Sequence, residues 1–246
     1  MEDKISVGEV VNGTFSVIGD NLRVVAIYVI GMTLGTSFLQ WILRNAAPTL
    51  AQTTAIPKDL LDWFGIGAGL SGIVVAIAAV VAQYLLLQAL LRQRGYLPET
   101  TRFRIFSYIL MIVLLALANG IGLILFVVPG LFLMARWSAA VAFLIAEDGP
   151  VFEAMGSSWD AVRGNTTAIA LAILAGMIIY YIVFAGFLVA GMRGILTMQG
   201  LGTDGLLFTL VTQFSSLVVG VFKMALGIWV YGRLHAPASH LQDTFS

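Results

Sequence analysis

IFSYILMIVLLALANGIGLILFVVPGLFLMARWSAAVAFLIA, residues 105–146, contains a single charged residue, Arg136. A bilayer's hydrocarbon core is crossed by a helix of about 20 apolar residues. The run is too long for one such helix and about right for two. Val128-Pro129-Gly130 divides it, because proline lacks the backbone N–H and glycine permits a tight turn. The pattern predicts a helix over 105–127, a turn at 128–130 and a return helix over 131–146. An apolar helical hairpin of this length belongs in a membrane.

Working outward from the hairpin, four more charge-poor runs have spanning length: 24–43, 64–91, 166–190 and 206–231, the last interrupted by Lys223. The expectation is an all-α polytopic membrane protein with six transmembrane helices, forming one integral membrane domain over 1–246. Composition agrees. The 246 residues are 59% hydrophobic and 11% charged, with mean hydropathy +0.96. Soluble domains run at about 45–50% apolar and about 25% charged. Thirteen Lys and Arg balance thirteen Asp and Glu, so no net field recruits a nucleic acid. Without cysteine there are no disulfides or thiolate metal sites. Glu2, Asp3, Glu9 and Asp20 interrupt the first residues, which therefore do not resemble a secretory signal. Glu2 also lacks the glycine that myristoylation needs.

The basic residues suggest an orientation, since they concentrate on cytoplasmic loops. With the N-terminus inside, Lys4, Arg23, Arg92, Arg94, Arg102, Arg104, Arg163 and Arg233 are cytoplasmic, and Arg44, Lys58 and Arg193 are outside. Trp41 and Trp63 then mark the outer border, and Tyr96, Phe103, Phe106 and Trp229 the inner one. Both termini are expected in the cytoplasm.

Two further segments have the pattern of cytoplasmic interfacial amphipathic helices. In 6–22, Ser6 and Glu9 form a capping box, and Val7, Val10, Val11, Thr14, Ile18 and Leu22 follow at helical spacing. In 150–164, Pro150 suits a first turn, and Phe152, Met155, Trp159 and Val162 share a face. The two segments align at an offset of 144, with Glu9 on Glu153, Phe15 on Trp159 and Asn21 on Asn165. The same offset carries the first span onto the fifth and the second onto the sixth. This suggests a parallel internal repeat with the hairpin inserted between its halves.

One region also resembles a known family. The residues are Val128-Pro129-Gly130 with Arg136-Trp137, then Glu147-Asp148-Gly149-Pro150, Glu153-Ala154-Met155, Ser157-Ser158-Trp159 and Arg163-Gly164-Asn165. Together they resemble the bacterial glycerophosphoryl diester phosphodiesterase membrane-domain family, as does the first surface helix. Gly156 stands where that family usually has a basic residue, so no basic headgroup patch is expected there. The resemblance implies a multi-span fold in a bacterial cytoplasmic (plasma) membrane. It brings no catalytic residues, because the phosphodiesterase barrel that names the family has no counterpart in this sequence.

Chemistry-bearing patterns are few. Gly69-Leu70-Ser71-Gly72 has the form of an intramembrane serine protease motif. The only histidines, His235 and His240, follow the last span, far along the chain from any base position beside Ser71. Small-residue packing accounts better for these glycines. Two histidines without a carboxylate cluster make no metal site, and Gly200 to Asp204 follows no strand, unlike a nucleotide loop. Arg136 and Lys223 are the ionisable residues well inside spans, where charge is costly. Folding the hairpin at 128–130 places Asn119 opposite Ser138 and puts Arg136 about 9 Å below the outer border. This suggests an outer-half polar cluster of Asn119, Arg136, Ser138, Tyr180 and Gln213, either an anion or headgroup site or a snorkelling arginine with satisfied neighbours. Glu147, Asp148 or Asp160 could compensate Lys223, and an ion pair of Lys223 with Glu147 is the expectation.

The sequence therefore suggests a non-catalytic membrane module that organises lipids or a partner membrane protein, with no cofactor. A small permease or channel subunit is the alternative, and an intramembrane enzyme the third reading.

Overall fold

A computed structural model of the chain describes residues 4–53, 66–97, 103–197 and 206–234. Its elements are helices: α1 (Val7–Asp20), α2 (Leu22–Thr53), α3 (Ile66–Gln93), α4 (Ile105–Leu125), α5 (Val127–Arg136), α6 (Ala140–Ala146), α7 (Val151–Ala161), α8 (Thr166–Thr197) and α9 (Leu206–Leu234). Six stretches are long and apolar enough to cross a membrane: Leu22–Leu39, Gly72–Gln93, Ile105–Ile124, Val127–Ala146, Thr166–Gly186 and Leu210–Leu234. The fold is all-helical, as expected.

Local chemistry sets the helix ends. At α1 the Glu9 N–H donates to Ser6 Oγ (3.2 Å) and the Ser6 N–H donates to Glu9 Oε2 (2.7 Å), completing the capping box. α3 ends in a Schellman turn. Gly95 takes φ +74°, its N–H bonds the Arg92 carbonyl, and the Tyr96 N–H bonds the Leu91 carbonyl. Gly164 takes φ +92° between α7 and α8 for the same reason, since only glycine adopts that region without cost.

The hairpin corrects the sequence reading twice. The turn is at Phe126, an extended residue (φ −163°, ψ 149°), and α5 begins at Val127. Pro129 is the third residue of α5. The first N–H groups of a helix have no intrahelical acceptor, so proline there loses nothing and does not break the helix. Gly130 serves close packing and not the turn. A Cβ on it would lie 2.5 Å from Leu123 Cδ2 and 2.9 Å from the Leu123 backbone nitrogen. The second correction concerns the expected return helix, 131–146. It is interrupted at 137–139, where the Ser138 N–H reaches the Ala135 carbonyl and the Ala140 N–H reaches the Trp137 carbonyl. The Ser138 carbonyl there occupies the space that a side chain on Gly227 of α9 would fill.

The chain divides into two compact units. The first comprises residues 1–25, 84–182 and 219–246. In it α4 packs on α5, α6 and α7, and α6 packs on α7. Fully buried Tyr84 accepts hydrogen bonds from the Arg104 N–H (2.9 Å) and Gln88 Nε2 (2.8 Å), and its ring meets Tyr108 edge-on. Phe143 meets Tyr231 at 4.8 Å. The second unit comprises residues 26–83 and 183–218. Its buried Thr33 and Thr36 donate to the carbonyls of Val29 and Met32, one turn back, as threonines in apolar helices do.

The 144-residue offset reappears in the helix bounds. α1 and α7 begin at Val7 and Val151, and α2 and α8 run Leu22–Thr53 and Thr166–Thr197. Buried positions follow the same offset, with Thr14 on Ser158, Asn21 on Asn165, Val25 on Ile169 and Val29 on Ile173.

Candidate functional site

Arg136 closes α5, where a cation suits the carbonyl end of the helix. The break at 137–139 turns the chain into α6, and the Glu147–Pro150 loop returns it as α7. That path brings the far end of α7 back to Arg136. The Arg136 guanidinium donates from Nη1 to the Trp159 carbonyl at 2.8 Å. In the opposite direction Ser158 Oγ donates to the Arg136 carbonyl at 2.9 Å. The guanidinium carbon stands 4.9 Å from the Trp159 ring centre and 5.2 Å from that of Phe132. Phe132 meets Trp159 edge-on at 5.6 Å, and Trp137 lies tilted against it at 5.7 Å. Ser158 is fully buried. The result is a reciprocal clamp between the ends of α5 and α7, closed over by three aromatic rings.

The loop that makes this return possible is itself held. Arg104 Nη1 donates to the Gly149 carbonyl (2.8 Å) and pairs with Asp148 Oδ1 (3.1 Å). Asp148 takes φ +54°, a left-handed conformation that aspartate tolerates better than most residues. At the α7–α8 junction, Asn165 Oδ1 accepts the Ile5 N–H at 2.9 Å, tying the N-terminal segment to the same region.

Of the expected polar cluster, Arg136 is engaged by Trp159 of α7, and no hydrogen bond joins it to Asn119 Oδ1 or Ser138 Oγ. The contact of Gly122 with Gly130 and Leu133 sets the hairpin register. Asn119, one turn before Gly122, is therefore level with the residues about one turn past Gly130, short of Ser138. Asn119 Oδ1, Ser138 Oγ and Arg136 Nε are each buried without a hydrogen-bond partner. Tyr180 stacks edge-on with Tyr181 at 5.3 Å. Gln213 belongs to the second unit.

The Lys223–Glu147 pair does not form. The ion pairs among the described residues are Arg94–Asp20 and Arg104–Asp148, and the Lys223 side chain is exposed. A lysine's four-carbon stem lets it reach outward from an apolar helix without an acidic partner. The side chain of Ser71, and His235, His240 and Gly200 to Asp204, lie outside the described residues. Among the described residues, no group of three His, Asp or Glu side chains could hold a metal ion.

The sequence did not identify Phe132, Ser158 and Trp159 as partners of Arg136. The available signal was an arginine between aromatics at 132 and 137, followed by another Ser-Trp pair at 158–159. Nothing in spacing alone says that the two segments meet. No family model matches the chain, and neither the curated proteins nor the solved structures contain a match to it.

Proposed function

We propose that this chain is a non-catalytic integral membrane module that organises lipids or a partner membrane protein. The observation that carries this reading is the engagement of Arg136. A transport or coupling cation has to be available to a solute or to a second ionisable group. Arg136 instead donates from Nη1 to the Trp159 carbonyl, and its guanidinium carbon lies 5.2 Å from the Phe132 ring centre and 4.9 Å from that of Trp159. Its role is to hold α7 against the hairpin. The surface this leaves is strongly apolar, with Phe126, Val128, Phe106 and Phe152 all exposed, as lipid-facing or partner-facing residues would be.

We place both termini on the cytoplasmic face of a bacterial cytoplasmic membrane, with α1 and α7 as interfacial helices. In support, Lys4, Arg23, Arg92, Arg94, Arg104, Arg163 and Arg233 all belong to the first unit, and Arg44 and Arg193 to the second. The residues at 128–165 that resemble the phosphodiesterase membrane-domain family agree with this setting.

The second reading is a small permease or channel subunit. It draws on the 144-residue offset in helix bounds, because transporter folds are often built from repeats. Purification in native-lipid discs, with mass spectrometry of bound lipids and co-purifying proteins, separates the two. The proposed function expects retained lipid or a stoichiometric protein partner. A stoichiometric small solute, taken up by vesicles carrying the protein, would establish the permease instead.

A further inference from the structure

A cleft of about 200 Å³ opens in the first unit, lined by Val17 of α1, by Arg94 and Tyr96 after α3, and by Ile228, Trp229, Gly232 and Arg233 of α9. Its position follows from helix ends. The stretch Gly72–Gln93 stops just before Arg94, and the stretch Leu210–Leu234 carries Arg233. Arginines and aromatic rings beside long apolar helices favour the headgroup zone of a bilayer.

The walls are fixed. The Schellman turn at Gly95 directs Tyr96 onto Gly232, where any Cβ would collide with the Tyr96 hydroxyl. Gly13 of α1 likewise makes room for the Trp229 indole, and Tyr96 is braced edge-on by Tyr231 at 5.4 Å. The Arg94 guanidinium is oriented by Asp20 (2.6 Å) and Ser16 (3.4 Å) through one nitrogen, Nη2. A guanidinium carries five N–H donors in a planar fork, so the pair with Asp20 leaves donors to spare. Arg233 is exposed and joins no ion pair among the described residues. Asp20 lies against Arg94 and the Glu9 carboxylate lies within the field of Arg233, and each guanidinium keeps donors beyond its acidic neighbour. Val17 and Ile228 line it with apolar surface, and Trp and Tyr favour the zone where one end of a ring is wet and the other is not.

We propose that this cleft binds a phosphodiester or phosphate anion between Arg94 and Arg233, and that the occupant is the headgroup of one phospholipid with its glycerol against Val17, Ile228 and Trp229. The proposal rests on the reading of the chain as a lipid-organising module and names its lipid site. Guanidinium forks match phosphate oxygens, and the cleft is smaller than a drug-sized pocket, which suits a headgroup but not acyl chains.

The test uses the full-length protein in mild detergent, with phosphatidylglycerol, a diacylglycerol without phosphate, and inorganic phosphate as probes. Native mass spectrometry reads the bound species. Wild type should retain one phosphatidylglycerol and no diacylglycerol. Arg233→Gln should lower retention about tenfold with unchanged thermal unfolding, and Arg233→Lys should restore part of it. Arg94→Gln should act in the same direction, with some loss of stability because its pair with Asp20 goes. Displacement of the lipid by inorganic phosphate supports the anion site with free phosphate as occupant, whereas resistance to it supports the lipid. Equal phosphatidylglycerol retention by wild type and Arg233→Gln overturns the cleft assignment and leaves the broader reading standing. If wild type retains neither lipid nor a protein partner, the broader reading fails as well.

Discussion

At the scale of single residues, Arg136 shows how a half-buried cation changes meaning with its neighbours. An arginine in an apolar helix suggests a site, but a carbonyl and two rings around it make a joint. Hydrogen bonds to charged groups contribute about 1.5–3 kcal/mol and cation–π contacts about 0.5–2 kcal/mol. Arg136→Ala should therefore destabilise the protein by about 2–4 kcal/mol, and Ser158→Ala by about 1 kcal/mol. Both lie in the same clamp, so the double variant should cost less than the sum, measured by unfolding in detergent. Simple additivity would show that the two bonds are independent. Glu9 gives a pH-dependent counterpart. The hydrogen bond from the Ser6 backbone holds its carboxyl below the ordinary value of 4.5, with the Ser6 side chain adding to the effect. A depressed folded pKa stabilises the fold above the unfolded value, and that contribution is lost as the pH falls through the folded value. Wild type should accordingly be more stable than Glu9→Gln at neutral pH. The difference should shrink as the pH drops below 4.5, and thermal unfolding across that range checks it.

At the scale of elements, the hairpin separates what a residue type allows from what it does in place. Proline and glycine at 129 and 130 were legible as punctuation, and the hairpin they announced is present. The turn itself is three residues earlier, at Phe126, because proline is tolerated in a helix's first turn and glycine's lack of a Cβ was needed for contact. Two substitutions test this. Pro129→Ala should change stability by less than about 1 kcal/mol, since no hydrogen bond is gained or lost there. Gly130→Ala should cost about 1–3 kcal/mol, because the new methyl meets Leu123 and its backbone and must push the helices apart. Gly120→Ala, with nothing within 4 Å of its Cβ position, is the control and should be neutral or stabilising. A tolerated Gly130→Ala would place the close contact elsewhere. The second break, at 137–139, had no signal in Trp137-Ser138-Ala139. It depends on Gly227 of α9, almost ninety residues on, admitting the Ser138 carbonyl.

At the scale of the whole molecule, the absence of cysteine makes topology directly measurable. Single cysteines at Gln93 and Glu147 should react with an impermeant thiol reagent only when the cytoplasmic face is open, and one at Lys58 only from outside. Labelling of all three from one side would overturn the proposed orientation. The sequence by itself determined the helical class, the number of spanning stretches, the capping box at Ser6 and Glu9, and the 144-residue offset that recurs in the helix bounds. These are local properties, because hydropathy, helical period and caps are set by residues within a few turns of one another. The partners of Arg136, the failure of Lys223 to meet Glu147, the second break in the hairpin and the Arg94–Arg233 cleft were decided only in three dimensions. Apart from the Phe132 contact of Arg136, four residues back, each joins groups more than twenty residues apart or depends on such a meeting. An apolar sequence offers many equivalent faces, so its periodicity cannot say which face meets which. In this chain close-packed glycines and a few committed hydrogen bonds make that choice.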